Sequence, residues 1–270
     1  MDETLLAATY RKAGLYDQAH WYDTDYAGYL AENAFYENAV KKCIGPGQTY
    51  LELGAGTGRL ALRYLEHPIR VHAVEPAPSM LERLKEKARK LPEDTQARLT
   101  TELADAHGFV FCPDRQAQLI TFPFNGILHI HGRTGLQSLL AHLKTHLASD
   151  GFLGLDITAP AWTDMDGKER AWGRLDERVH PDTGATFLTY DRCYYEPASR
   201  LLFSDYRFIQ EGQPEGVELS ICQYMWTFQE ILHAVEQAGF QIEEQYGDVD
   251  FREWGEQTTR LLLLAQRISP

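Results

Sequence analysis

The 270-residue chain is short of positive charge: Lys and Arg total 26 against 39 Asp and Glu, a formal net charge of -13. A surface of that sign repels a phosphate backbone, which argues against nucleic acid as a partner. Cysteine is scarce as well. Cys43, Cys112, Cys193 and Cys222 are widely spaced and form no C-x-x-C pair, so neither a zinc site nor a disulfide framework is expected, and the setting reads as a reducing cytoplasm. Long apolar runs are missing too. The longest, Leu261 to Ala265, suits a buried strand and falls far short of a membrane span. The acidic start MDETLLAATYRKAG lacks the basic opening of a signal peptide. Internal repeats and low-complexity segments are absent. His142 and His146 stand at i, i+4 without the Glu of a zincin helix, and read as the wet face of a helix buried through Leu136, Leu139, Leu140, Leu143 and Leu147.

What is present describes an ordinary folded domain. Hydrophobic residues make up 44% and charged ones 24% of the chain, and the length accommodates one core with an insertion. The pattern predicts a helix over 26–43, a turn at Gly45-Pro46-Gly47, and then alternating elements. Strands are expected at Thr49–Leu53, 70–75, 98–104, 118–123 and 151–158, with helices at 58–66, 78–90 and 134–149. Such alternation makes a parallel sheet with right-handed crossovers, and ligands bind beyond the carboxyl ends of its strands.

From Ala159 the rhythm changes. Strand-like runs at Ala185–Tyr195, Leu201–Gln210 and Val217–Trp226, broken by Gly, Pro and Asp, predict a small antiparallel insertion. Thr227 to Glu230 is a capping box for a helix that ends at Gly239, and strands at 240–246 and 259–267 close the chain. The expected division is an N-terminal helical and aromatic cap over 1–46, a core of 47–158 with 227–270, and the insertion over 159–226.

The first strand runs into Glu52-Leu53-Gly54-Ala55-Gly56-Thr57-Gly58-Arg59-Leu60. Glycine there permits backbone angles and a close ligand approach that a Cβ would block, and a helix opening after it would offer free N–H groups. Glu75 follows Gly58 by 17 residues at the end of the second strand, where a carboxylate can accept both hydroxyls of a ribose. The spacing is G-x-G-x-G, not the G-x-G-x-x-G of dinucleotide folds, which favours a nucleoside cofactor without a pyrophosphate.

With these residues on view, the chain resembles the class I S-adenosylmethionine-dependent methyltransferases. Glu52 to Leu60 looks like their first motif and Val74-Glu75-Pro76 through Met80 like their second. Leu103-Ala104-Asp105-Ala106 is similar to the loop whose Asp meets the adenine amino group, and Gln118 to Phe124 to the strand lining the methyl donor. The resemblance implies an α/β, Rossmann-like seven-stranded sheet, strand seven antiparallel between five and six. It also implies S-adenosylmethionine, with no metal, held by Tyr22, Glu52, Gly54, Ala55, Gly56, Gly58, Glu75, Pro76, Met80, Asp105, Ala106 and Phe122. Met80 has core packing as its alternative. Gln118 stands where many relatives carry Asp, at the far end of its strand.

For the acceptor, Phe122 to His129 resembles the F-N-S-x-x-H stretch of aminosugar N-methyltransferases, which makes His129 the candidate catalytic residue and His131 and His107 its competitors. An imidazole can accept a proton near neutral pH, and a backbone-satisfied loop histidine is the alternative. Trp21 to Tyr29 is dense in aromatic residues; these either flap over a cationic sulfonium, with Tyr22 at the site, or anchor the N-terminal helix. The insertion covers the site or pairs two copies of the chain into a homodimer. A small molecule is the expected acceptor, amine nitrogen first and carboxylate or hydroxyl oxygen next. A nicotinamide oxidoreductase and a non-catalytic adenosylmethionine-binding protein are the rival readings.

Overall fold

The computed structural model describes residues 13–26, 31–111, 116–159, 165–180, 182–210, 212–255 and 258–268. Cys112 and the Ala27-Gly28-Tyr29 end of the aromatic segment lie outside them. The chain divides into two compact units, 30–159 with 226–270, and 1–29 with 160–225.

The first unit is built on a seven-stranded sheet. Its strands run in the order Phe240–Tyr246, Arg260–Arg267, Leu147–Thr158, Ala117–Phe122, Thr49–Leu53, Arg70–Glu75, Leu99–Leu103. Arg260–Arg267 is antiparallel to both its neighbours, and the other core pairings are parallel. The central strands are buried along their whole length: every residue of Thr49–Leu53 and of Ala117–Phe122 is covered, as a parallel sheet with both faces packed requires. Asn33–Cys43 packs Phe35, Tyr36, Ala39 and Val40 into the same core as Tyr50, Tyr64, Leu119, Leu262 and Leu264. This is the class I methyltransferase sheet that the resemblance implied.

Several local expectations differ. The helix expected over 26–43 is two helices, Ala19–Tyr26 and Asn33–Cys43. They fall in different units, so the cap expected over 1–46 is divided. The helix expected from Gly58 is a single turn, Ala61–Tyr64, because Gly58 takes a φ of 85°, outside the helical region. His142 and His146 do not form a wet face: both are half-buried against the Phe109 ring, at 4.7 Å each. The buried stripe of Leu136, Leu139, Leu140 and Leu143 is as expected.

The second unit is a five-stranded sheet in the order Ala13–Gly14, Gln213–Tyr224, Leu201–Gln210, Thr186–Glu196, Gly173–Val179, antiparallel except for the short first pairing. Its core is Leu15, Trp21, Phe187, Phe208 and Leu219. Trp21 meets Phe187 edge-on at 4.5 Å, so at least this ring of the aromatic segment anchors the N-terminal helix. Gly173–Val179 is an edge strand of alternating charge that sequence pattern did not pick out. Among the described residues no helix is long and apolar enough to cross a membrane.

Candidate active site

The glycine loop lies at the carboxyl end of Thr49–Leu53. Gly54, Gly56 and Gly58 have φ of 63°, 57° and 85°, so the loop is left-handed three times over, and L side chains resist that conformation. Gly58 has a second constraint: a Cβ there would sit 2.8 Å from Leu84 Cγ and 2.9 Å from Leu62 Cγ. Part of the loop's own donor set is engaged within the fold. Ala55 N–H donates to the Val74 carbonyl at 3.0 Å and Gly58 N–H to that of Ala55 at 2.9 Å.

Glu75 joins two segments of the site. Its Oε2 accepts Gly56 N–H at 2.8 Å and its Oε1 accepts Ala77 N–H at 2.9 Å. Burial raises its pKa, and these two donors pull the other way. A carboxylate oxygen accepts more than one hydrogen bond, so both oxygens keep capacity toward a ligand. Glu52 is buried more completely, and its Oε2 has no hydrogen-bond partner among the described residues. Burial lifts its carboxyl to about 8, with Arg59 opposing and Glu75 adding.

Asp105 follows the strand paired with Glu75 and is exposed. Its Oδ1 closes its own turn by accepting His107 and Gly108 N–H, both at 2.8 Å. Leu103, beside it, is 56% exposed, an apolar surface suited to a flat base. Pro76 is exposed and Ala106 half-buried. Met80 is buried on the inner face of Pro78–Ala88 with Leu81 and Leu84, as core packing requires.

The loop after Ala117–Phe122 starts beside this cradle. The Phe122 ring is wedged between two glycines: a Cβ on Gly54 would lie 3.3 Å from it and one on Gly126 only 2.2 Å. Phe124 and Asn125 both have positive φ, 55° and 61°. They open the 3-10 helix Gly126–His129, at whose end His129 is half-buried. The Trp226 indole fixes the next residue by donating to the Ile130 carbonyl at 2.9 Å. Of the competing histidines, His131 is exposed and His107 bonds the Gly135 carbonyl at 3.0 Å.

Sequence reading gave no site role to Asp156, Tyr36, Arg59, Glu32 or Asn33. Asp156, two residues before the end of Leu147–Thr158, is buried, and its Oδ1 accepts both the Tyr36 hydroxyl and Phe124 N–H at 2.6 Å. Burial, with the Glu32 charge adding, pushes it up to about 6. Arg59 is ion-paired to buried Glu32 and bonds Asn33 Oδ1 at 3.1 Å. Tyr22 belongs to the other unit, its ring tilted against Tyr26 at 4.9 Å and Tyr16 at 6.1 Å.

A left-handed glycine cradle, a buried ribose-type acid and an orphaned carboxylate oxygen fit an adenosyl nucleoside with a cationic tail. Residues 51–151 match the family model described as a methyltransferase domain. Residues 51–151 form a methyltransferase domain, on a sheet of the class I S-adenosylmethionine-dependent type. The fold agrees with solved structures at low identity. It is similar to the CcbJ methyltransferase of Streptomyces caelestis, with TM-score 0.73 and 18% identity over 88% of this chain and 89% of that one. An S-adenosylmethionine-dependent methyltransferase from Clostridium acetobutylicum gives 0.71 and 17% over 93% and 97%. The sugar N-methyltransferase KedS8 from Streptoalloteichus gives 0.66 and 18% over 92% of each. Among curated proteins none matches the chain.

Proposed function

We propose that the chain methylates an amine nitrogen of a small molecule. The observation that carries this reading is Phe122, wedged between Gly54 of the cradle and Gly126 of the loop that ends in His129; it ties the half-buried histidine to the methyl-donor side of the sheet. An amine is supported by the sugar N-methyltransferase among the structurally similar proteins. It is also supported by the net charge of -13, which draws cations and repels anions.

Bound S-adenosylmethionine supplies an electrophilic methyl group on a sulfonium. The chain has then to hold and align. Glu75 and Asp105 hold the nucleoside, and Leu103 and the strand ends give it an apolar bed. Alignment of acceptor with methyl is worth roughly 7–11 kcal/mol at best. An ammonium acceptor must lose a proton before its lone pair attacks, and His129 takes that proton. The roles expected of Tyr22 and of the insertion, in acceptor specificity or in pairing two copies, rest on the sequence resemblance. The same reading places the enzyme in the cytoplasm, with neither nucleic acid nor membrane as partner and no metal required.

The test is incubation with methyl-labelled S-adenosylmethionine and a panel of aminosugars and aliphatic amines, followed by fragmentation mass spectrometry. Label on nitrogen supports the proposal. Label found on a carboxylate or hydroxyl oxygen alone overturns the acceptor assignment.

A further inference from the structure

Phe124 is held from two directions. Its N–H donates to Asp156 Oδ1 at 2.6 Å, and its ring lies under the Arg59 guanidinium, whose Cζ is 5.2 Å from the ring centroid. Both holders are themselves fixed: Asp156 by the Tyr36 hydroxyl at 2.6 Å, Arg59 by its ion pair with Glu32 and by Asn33. The left-handed Phe124 and Asn125 backbone needs such support, because a bulky side chain adopts positive φ only where the surroundings impose it. Asn125 adds its own tie, its Oδ1 accepting Thr158 N–H at 2.6 Å.

Arg59 directly follows Gly58, the last glycine of the cradle. A ligand that orders the cradle removes backbone freedom immediately beside it. The guanidinium is planar and doubly held, so it behaves as a strut and not as a flexible arm. We propose that Arg59 is a positioning residue that couples cofactor binding to the acceptor loop, through its seat on Phe124 and the left-handed turn that sets His129. The inference rests on the reading of 122–129 as the acceptor side and deepens it: the acceptor site is completed by the cofactor through a link that touches neither ligand.

Ordering without a change of fold is visible in amide exchange. The test compares hydrogen–deuterium exchange of the intact chain with and without saturating S-adenosylhomocysteine, for the native protein, Arg59→Met, Arg59→Lys and Phe124→Leu. In the native chain the ligand is expected to slow exchange about tenfold in both 52–58 and 122–130. In Arg59→Met the slowing at 52–58 persists, with affinity by calorimetry within about fivefold, while that at 122–130 is lost. Arg59→Lys restores part of it. Phe124→Leu behaves as Arg59→Met and carries the test if that variant does not fold. A merely structural role would loosen 122–130 with or without ligand and leave the ligand-dependent difference unchanged. Equal protection of 122–130 in native and Arg59→Met overturns the inference, as does a native chain in which ligand protects 52–58 alone. A native chain that binds no S-adenosylhomocysteine overturns the cofactor reading beneath it, and the inference with it.

Discussion

Glu75 holds the cradle itself: its Oε2 accepts the N–H of Gly56 at 2.8 Å, 19 residues earlier in the chain. The acid expected to meet a ribose also fixes the loop that surrounds it. Glu75→Ala therefore leaves two part-buried N–H groups without their acceptor and removes a charged ligand partner, each on the order of 1–3 kcal/mol. Calorimetry should show adenosylmethionine affinity falling at least about tenfold, accompanied by a lower Tm. Glu75→Gln, which keeps one acceptor oxygen, should fall between. Unchanged affinity in the alanine variant would remove Glu75 from the site.

Gly58→Ala meets two obstacles, a φ of 85° and contacts of 2.8 and 2.9 Å to Leu84 and Leu62. A strained left-handed residue alone costs about 1–3 kcal/mol, and the overlap adds to it. Thermal unfolding of this variant should shift down by several degrees, more than for Gly47→Ala, which has positive φ but open space.

The buried acids give a defined pH dependence. Asp156 rises from 3.8 to about 6 and Glu52 from 4.5 to about 8, chiefly through burial. A raised folded-state pKa means that the folded chain binds the proton more tightly than the unfolded one. The stabilisation is thus fully present below the unfolded pKa and lost as pH rises through about 6 for Asp156 and about 8 for Glu52. Asp156→Asn keeps an Oδ1 able to accept both Tyr36 and Phe124. Urea unfolding should show this variant losing roughly 2 kcal/mol less than the native chain between pH 4 and 7. Parallel curves for the two proteins would contradict the assignment.

His129→Asn should lower turnover by about 10²–10⁴, the usual worth of base assistance, while adenosylmethionine affinity stays within about threefold. Tyr22→Phe tests the aromatic segment alongside it. Full turnover of His129→Asn across pH 6 to 9 would leave alignment alone to carry the reaction.

The core strands were legible because each is an apolar run covered on both faces, as at Thr49–Leu53 and Leu261 to Ala265. The capping box was legible because its chemistry is local: Thr227 Oγ1 accepts Glu230 N–H at 3.2 Å, and Glu230 Oε2 accepts Thr227 N–H at 3.0 Å. The glycine cradle and Glu75 came from spacing for the same reason. Arg59 to Glu32, and Tyr36 to Asp156 across 120 residues, are contacts made only by the fold and leave no periodic trace. Gly173–Val179 was missed because an edge strand of charged residues carries no apolar alternation. The half-burial of His142 and His146 depends on Phe109, which arrives from another part of the chain.

The central claim, that this cradle delivers a methyl group to an amine, is tested most directly by a single incubation of the purified chain with methyl-labelled S-adenosylmethionine and the amine panel. The account predicts a labelled N-methyl product formed one for one with S-adenosylhomocysteine, and its loss in His129→Asn. Adenosylmethionine that binds the cradle but is never demethylated, with any acceptor in the panel or in an extract of the source, would contradict it.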